Sequence, residues 1–211
     1  MEMVYTALLA VAAFGLAAIP FSVLVGRWFL GREITDYGDG NPGAVNVFRA
    51  GGQKLGYLAV FLDVAKGVPF VFLTYHTFDL SELSVVIVAI CAVLGHAFSP
   101  FLRWQGGKAL AVTFGVLLAL PQHEMLLAFI AFMVLGFLFI EIDAWTVMFG
   151  AAGTLAYLAV TRGGSWETFL MLCLLAILAF KHFEALHTFP GFRGRFLRFI
   201  QSIIHGAMFT I

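Results

Sequence analysis

Charge is what this sequence has least of. Only 11% of its 211 residues are Asp, Glu, Lys or Arg, while 62% are hydrophobic and the mean hydropathy is +0.98. Soluble domains carry roughly a quarter charged residues and about half apolar ones, so a water-facing globular domain is excluded and a bilayer is the implied solvent. Basic runs are missing as well. Lys and Arg together number 12, matched by 12 Asp and Glu, and no positive stripe exists outside the segments between apolar runs, which excludes nucleic acid as a partner. Cysteine is scarce: Cys91 and Cys173 both lie in apolar runs without metal or redox spacing and read as packing residues. Neither a Ser-His-Asp nucleophile constellation nor a His-x-x-x-x-Asp pattern is found. No long polar linker, repeat or low-complexity tract divides the chain, so 1–211 reads as one domain.

What the sequence does have is apolar length. In lipid every backbone N–H and C=O must be satisfied within the protein, so long apolar runs there are helices. Seven are legible, at about 4–26, 57–78, 84–102, 109–121, 125–140, 145–161 and 167–180. The expected fold is therefore an all-α integral membrane protein of about seven transmembrane helices. Several runs fall short of the ~20 residues of a full crossing, and the third and fourth read as short spans flanking a segment that dips into the protein. The first run is too long for a signal peptide and has no basic residue ahead of it, so it reads as a retained span.

Basic residues orient the bundle. Arg27, Arg32, Arg49, Lys54, Arg103, Lys108, Lys181, Arg193, Arg195 and Arg198 fall on one side, Arg162 on the other, and Lys66 inside the second helix. The positive-inside rule makes the basic side cytoplasmic and leaves the N-terminus outside, as in a multi-pass protein of the plasma (inner) membrane. Beyond Phe192, apolar residues at 196, 199, 200, 203 and 204 recur with helical period while Arg193, Arg198 and Gln201 fall mainly on other faces. That pattern predicts an interfacial amphipathic helix over 192–209, meeting the membrane lipids of the cytoplasmic leaflet.

Two glycine-plus-base segments stand out on the basic side. In GDGNPGAVNVFR, residues 38–49, glycines at 38, 40 and 43 permit positive φ and a concave nest of N–H groups, and Arg49 supplies a planar fork for phosphate. In GHAFSPFLRWQGGKAL, residues 95–110, Gly106 and Gly107 precede Lys108 at the expected start of a helix. Within the second helix, LDVAKG places Asp63 and Lys66 three residues apart on one face, and ionisable groups at membrane depth turn inward and mark function. His96 closes the third helix. Taken separately, each segment is also compatible with ordinary turns and topology-setting charges. His182, Glu184 and His187 do not share a helical face, and no metal site is expected.

These segments resemble the bacterial acyl-phosphate:glycerol-3-phosphate acyltransferases, the PlsY family. Gly38, Gly40, Asn41, Gly43, Ala44, Asn46 and Arg49 match its first signature, Asp63, Lys66 and Gly67 a following Asp-x-x-Lys-Gly, and Gly95, His96, Phe98, Phe101, Gly106, Gly107 and Lys108 the second motif. Against that pattern, Asp39 stands for serine, Val45 for threonine, Gln105 for lysine and Ala109 for glycine. A third motif keeps His182, with Ala185 and Thr188 where the family has asparagine and arginine. The resemblance implies transfer of a fatty acyl group from acyl phosphate to the 1-hydroxyl of glycerol 3-phosphate, without cofactor or metal. It also implies His96, Lys108 and Asn46 as catalytic residues. Gly38, Gly40, Asn41, Gly43, Arg49, Asp63, Lys66, Gly106, Gly107 and His182 would bind the two phosphorylated substrates. The departures keep open a second reading, a substrate-altered or non-catalytic relative that binds or transports a phosphorylated lipid.

Overall fold

The computed structural model describes residues 1–190, and the amphipathic helix expected over 192–209 lies outside the described residues. Prolines cut the first two apolar runs into pieces. Helix α1 (Glu2–Ala18) stops at Ile19, which is extended (φ −61°, ψ 121°) because the ring of Pro20 disfavours helical geometry in the preceding residue. Helix α2 (Phe21–Val25) resumes the direction, passes through a π-helical turn (Gly26–Leu30) and ends on Gly31 in the left-handed conformation. A short α3 (Ala44–Arg49) follows the first glycine segment. Helix α4 (Gln53–Ala65) halts at Lys66, because Pro69 has no N–H with which to continue the ladder. Helix α5 (Pro69–Phe72) then restarts with that proline at its first position and runs into a second π-helical turn, Leu73–Thr77. After these come α6 (Glu82–Ala97), α7 (Leu110–Ala119), α8 (His123–Phe139), α9 (Asp143–Arg162), α10 (Trp166–Lys181) and α11 (Phe183–Leu186).

Among the described residues, four stretches are long and apolar enough to cross a membrane: Glu2–Leu30, Gln53–Thr77, Glu82–Leu102 and Asp143–Arg162. The third apolar run, expected to be short, is thus of full length. The fourth is not. Helix α7 has 10 residues, a rise of roughly 15 Å, about half of the ~30 Å hydrocarbon layer. Pro121 and a left-handed Ala109 bound the run 109–121 and keep this apolar helix short, as the length of the run suggests.

Interrupted helices leave carbonyls without helical partners, and in lipid these must be met by neighbours. Polar side chains from other segments meet them here. Lys66 Nζ donates to the Ile19 carbonyl at 2.9 Å and Ser99 Oγ to the Ala18 carbonyl at 2.5 Å, closing the break after α1. Lys181 Nζ donates to the carbonyls of Ala97 (2.9 Å) and Gly106 (3.1 Å), closing the end of α6. Small residues bring the backbones together: α1 lies against α6, and a Cβ at Gly95 would run into the Phe14 backbone. Helix α4 meets α7 where a Cβ at Gly115 would strike the Val64 carbonyl. At the far end, Glu2 accepts from the Ser81 N–H and the Ser84 hydroxyl, both at 3.0 Å, while Arg162 of α9 pairs with Glu124 of α8 and Glu167 of α10. A small apolar cluster of Val23, Val25, Ile34, Val47 and Ala59 seats the 31–52 segment on α2 and α4.

Candidate active site

Helix α3 is only six residues long, but it fixes the first motif. Asn46 and Arg49 are three apart and share a face. Asn46 is buried, and both ends of its amide are engaged: Nδ2 donates to Asp39 Oδ1 (3.0 Å) and the Asn41 carbonyl (2.8 Å), while Oδ1 accepts from Arg49 Nη1 (3.1 Å). Gly38 and Gly40 take positive φ, 60° and 70°, as the sequence suggests, and a Cβ at Gly38 would collide with the Arg49 guanidinium. Gly43 does not: it is extended (φ −117°) and begins α3.

Lys108 arrives from a segment 69 residues away. Its Nζ donates to Asp39 Oδ2 at 2.6 Å, and Arg49 Nη1 lies 3.6 Å from Asp39 Oδ1. The Asn41 N–H also donates to Oδ1 at 3.3 Å. Partial burial works to raise the Asp39 carboxyl, but the hydrogen bond and charge of Lys108, with the Asn41 N–H and Asn46, outweigh it and hold the group at about 2. Beside this cluster opens a cavity of about 650 Å³, lined by Asp39, Lys108, Lys181, His182 and Glu184, with Phe180 and Phe183 as its apolar wall. That is within the range of small-molecule sites. His182 is buried, its Nδ1 2.8 Å from the Leu178 carbonyl, and burial draws its imidazole below the ordinary range.

A second layer lies beneath. Asp63 (2% exposed) accepts from Ser22 Oγ at 2.6 Å and sits 2.7 Å from Lys66 Nζ (4% exposed), with His96 Nδ1 3.9 Å away. Its Oδ1 meets Lys66 as an ion pair without a directed hydrogen bond. A void of about 10 Å³ separates this layer from Pro42 and Gly107, room for about one water. Gly107 is tight against His96: a Cβ there would meet the imidazole, and its N–H donates to the His96 carbonyl at 3.1 Å.

The structure therefore gathers Gly38, Gly40, Asn41, Asn46, Arg49, Lys108 and His182 around or next to one opening. It places others differently from expectation. The nest of free N–H groups is not presented to solvent, because the Gly40 N–H closes a turn on Tyr37, the Gly43 N–H one on Asn41, and the Gly107 N–H is taken by His96. Gly106 serves close packing, its absent Cβ leaving room for the His96 and Ala97 carbonyls. Asp63 and Lys66 do not reach the opening, being buried and committed to Ser22 and Ile19. Ser22, Ser99 and Lys181 are structural partners that sequence reasoning passes over, since nothing in a single sequence says which carbonyl a distant side chain will meet. No group of three or more His, Cys, Asp or Glu side chains suited to a metal exists among the described residues.

Comparison with known proteins adds the family. The sequence model described as glycerol-3-phosphate acyltransferase matches residues 7–189. A glycerol-3-phosphate acyltransferase of Wolbachia pipientis is 34% identical over 178 residues, covering 84% of this chain and 91% of that one. One from Herminiimonas arsenicoxydans is 32% identical over 180 residues, covering 84% and 87%. Among solved structures, the glycerol 3-phosphate form of PlsY, an integral membrane glycerol 3-phosphate acyltransferase, superposes with a TM-score of 0.78 at 25% identity, over 86% of this chain and 90% of that one. The lysophosphatidic acid form of the same protein gives 0.77 over the same shares. With a family model spanning nearly all the described residues and motif side chains from three separate segments meeting at one cavity, this chain belongs to the glycerol-3-phosphate acyltransferase family.

Proposed function

We propose that the chain transfers a fatty acyl group from acyl phosphate to the 1-hydroxyl of glycerol 3-phosphate, giving lysophosphatidic acid and inorganic phosphate. One observation carries this beyond family membership: Arg49 and Lys108, cations from two separate motif segments, converge on a single carboxylate at the mouth of the 650 Å³ cavity. Two cations so placed can grip a phosphate, and Phe180 and Phe183 offer an apolar wall to an acyl chain. The chemistry asks little more of the protein. A new ester C–O bond forms as the acyl carbon's bond to the phosphate oxygen breaks, and the hydroxyl proton passes to the departing phosphate. Positioning and charge stabilisation are then the main tasks. Lys108 and Arg49 hold phosphate oxygens and Asn46 keeps Arg49 in place. His182 orients the acceptor, while His96, Asp63 and Lys66 support the Gly107–Lys108 backbone from below.

The apolar helices sit in the plasma (inner) membrane as about seven segments, with this end of the bundle facing the cytoplasm. Phosphorylated substrates then enter from the aqueous side and the acyl chain stays in lipid. The test is phosphate release from palmitoyl phosphate by the purified chain, with and without glycerol 3-phosphate. Acceptor-dependent release is expected, and Lys108→Ala should lower kcat/KM about 10- to 100-fold, the loss of one charge-assisted contact worth roughly 1.5–3 kcal/mol. Release that ignores the acceptor would support a substrate-altered enzyme, with water taking the acyl group, and binding of the phosphorylated lipid without turnover in folded protein would support the binding or transport reading instead.

A further inference from the structure

Resting on the reading of Lys108 and Arg49 as phosphate contacts, we infer that Asp39 is a built-in counter-ion that occupies the phosphate position when the site is empty, competes with substrate phosphate, and returns to expel inorganic phosphate after the reaction. The donors around Asp39 are those an incoming phosphate would need. Lys108 Nζ is 2.6 Å from Oδ2, while the Asn41 N–H (3.3 Å), Asn46 Nδ2 (3.0 Å) and Arg49 Nη1 (3.6 Å) surround Oδ1. Asp39 is thus coordinated as a bound anion would be. It is tethered by the chain, so its effective concentration at Lys108 is high whenever no ligand is present.

The carboxylate is also free enough to leave. Its side chain is 43% exposed and that of Lys108 36%, both at the cavity mouth, in contrast to the sealed Asp63–Lys66 pair. A dianionic phosphate cannot share Lys108 with a carboxylate 2.6 Å away, since like charges so close disfavour one another, so binding requires Asp39 to swing out. Recruitment of a cationic ligand by Asp39 is disfavoured, because its charge is already matched by two cations. The competition lowers the apparent affinity for every phosphate that uses Lys108, product included. Asp39 is a positioning residue that sets phosphate affinity, and no step of the acyl transfer passes through it.

Asp39→Asn keeps an oxygen for the Asn41 N–H and Asn46 amide but removes the charge, and Asp39→Ser removes both charge and reach. Inorganic phosphate is titrated into the purified full chain by calorimetry, and KM and kcat are measured with palmitoyl phosphate. Both variants should bind phosphate at least about fivefold tighter than the parent, and the gain should vanish when Lys108→Ala is added to Asp39→Asn. KM should fall by a similar factor with no rise in kcat, and inhibition by inorganic phosphate should strengthen. Unchanged or weaker phosphate binding in Asp39→Asn overturns the inference, as does tightening in Asp39→Ser alone, which would make the turn rather than the charge responsible. If none of the proteins turns over substrate, the acyl-transfer reading fails while the phosphate titration still decides the role of Asp39.

Discussion

Asn46 and Asp39 divide the work of the first motif between an amide that can satisfy both its neighbours and a carboxylate that can be displaced. An amide presents donors on one side and an acceptor on the other, which is why Asn46 can bridge Asp39 to Arg49 while remaining buried. Asp39 depends on charge, and charge depends on pH. Its folded value of about 2 lies below the ordinary 3.8, so its stabilising contribution is fully present above 3.8 and is lost as pH falls through about 2. The thermal midpoint of Asp39→Asn should accordingly lie below that of the parent at pH 5–8, with the gap closing between about pH 4 and pH 2. A gap that persists at pH 2 would show that the difference does not come from ionisation of Asp39. Ala109 marks the limit of what residues reveal individually: it adopts φ 66°, a left-handed geometry that its side chain disfavours, at the start of α7. Alanine gives no warning of that, whereas the positive φ of Gly38 and Gly40 can be anticipated from the residues themselves.

Lys66 belongs to the scale of elements because it joins two interrupted helices. It ends α4 three residues before Pro69 and reaches the carbonyl of Ile19, which Pro20 frees from α1. Replacing it by Met would leave that carbonyl and the carboxylate of Asp63 without a cation in a buried setting. Loss of one partner from a buried pair costs about 3–5 kcal/mol, so Lys66→Met should unfold in detergent at a markedly lower temperature. Adding Asp63→Asn should recover part of the loss. A single variant as stable as the parent would show that Ser22 alone suffices for Asp63 and that the α1 break needs no tie. The prolines at 20 and 69 and the inward-turning pair at 63 and 66 are visible in the sequence. Their mutual satisfaction is not, since it joins positions 47 residues apart. The short length of α7 is visible too, since the apolar run 109–121 is itself too short for a crossing, whereas the left-handed start at Ala109 is not.

At the scale of the whole molecule, the charges are sorted between the two ends. The motif segments, the α6–α7 connection and the end of α10 meet at one end through Lys108–Asp39 and through Lys181 on Ala97 and Gly106. Arg162 at the other end is held by Glu124 and Glu167, its charge locally compensated. That sorting is legible from the sequence because it depends only on where basic residues fall between apolar runs. Which residues touch was less so, because contact depends on the crossing geometry of helices that a single sequence leaves open. The sorting also carries the last prediction. Lys54 is exposed at the start of α4 on the basic end, whereas Gly164 is exposed after α9 with open space for a side chain. If basic residues stay on the cytoplasmic side, Gly164→Cys should react with a membrane-impermeant maleimide in intact spheroplasts, and Lys54→Cys only after lysis. The unsubstituted chain, with Cys91 and Cys173 half-buried among apolar helices, sets the baseline. The reverse pattern would put the phosphate site outside the cell, away from cytoplasmic acyl phosphate and glycerol 3-phosphate, and the proposed reaction would then lack its substrates.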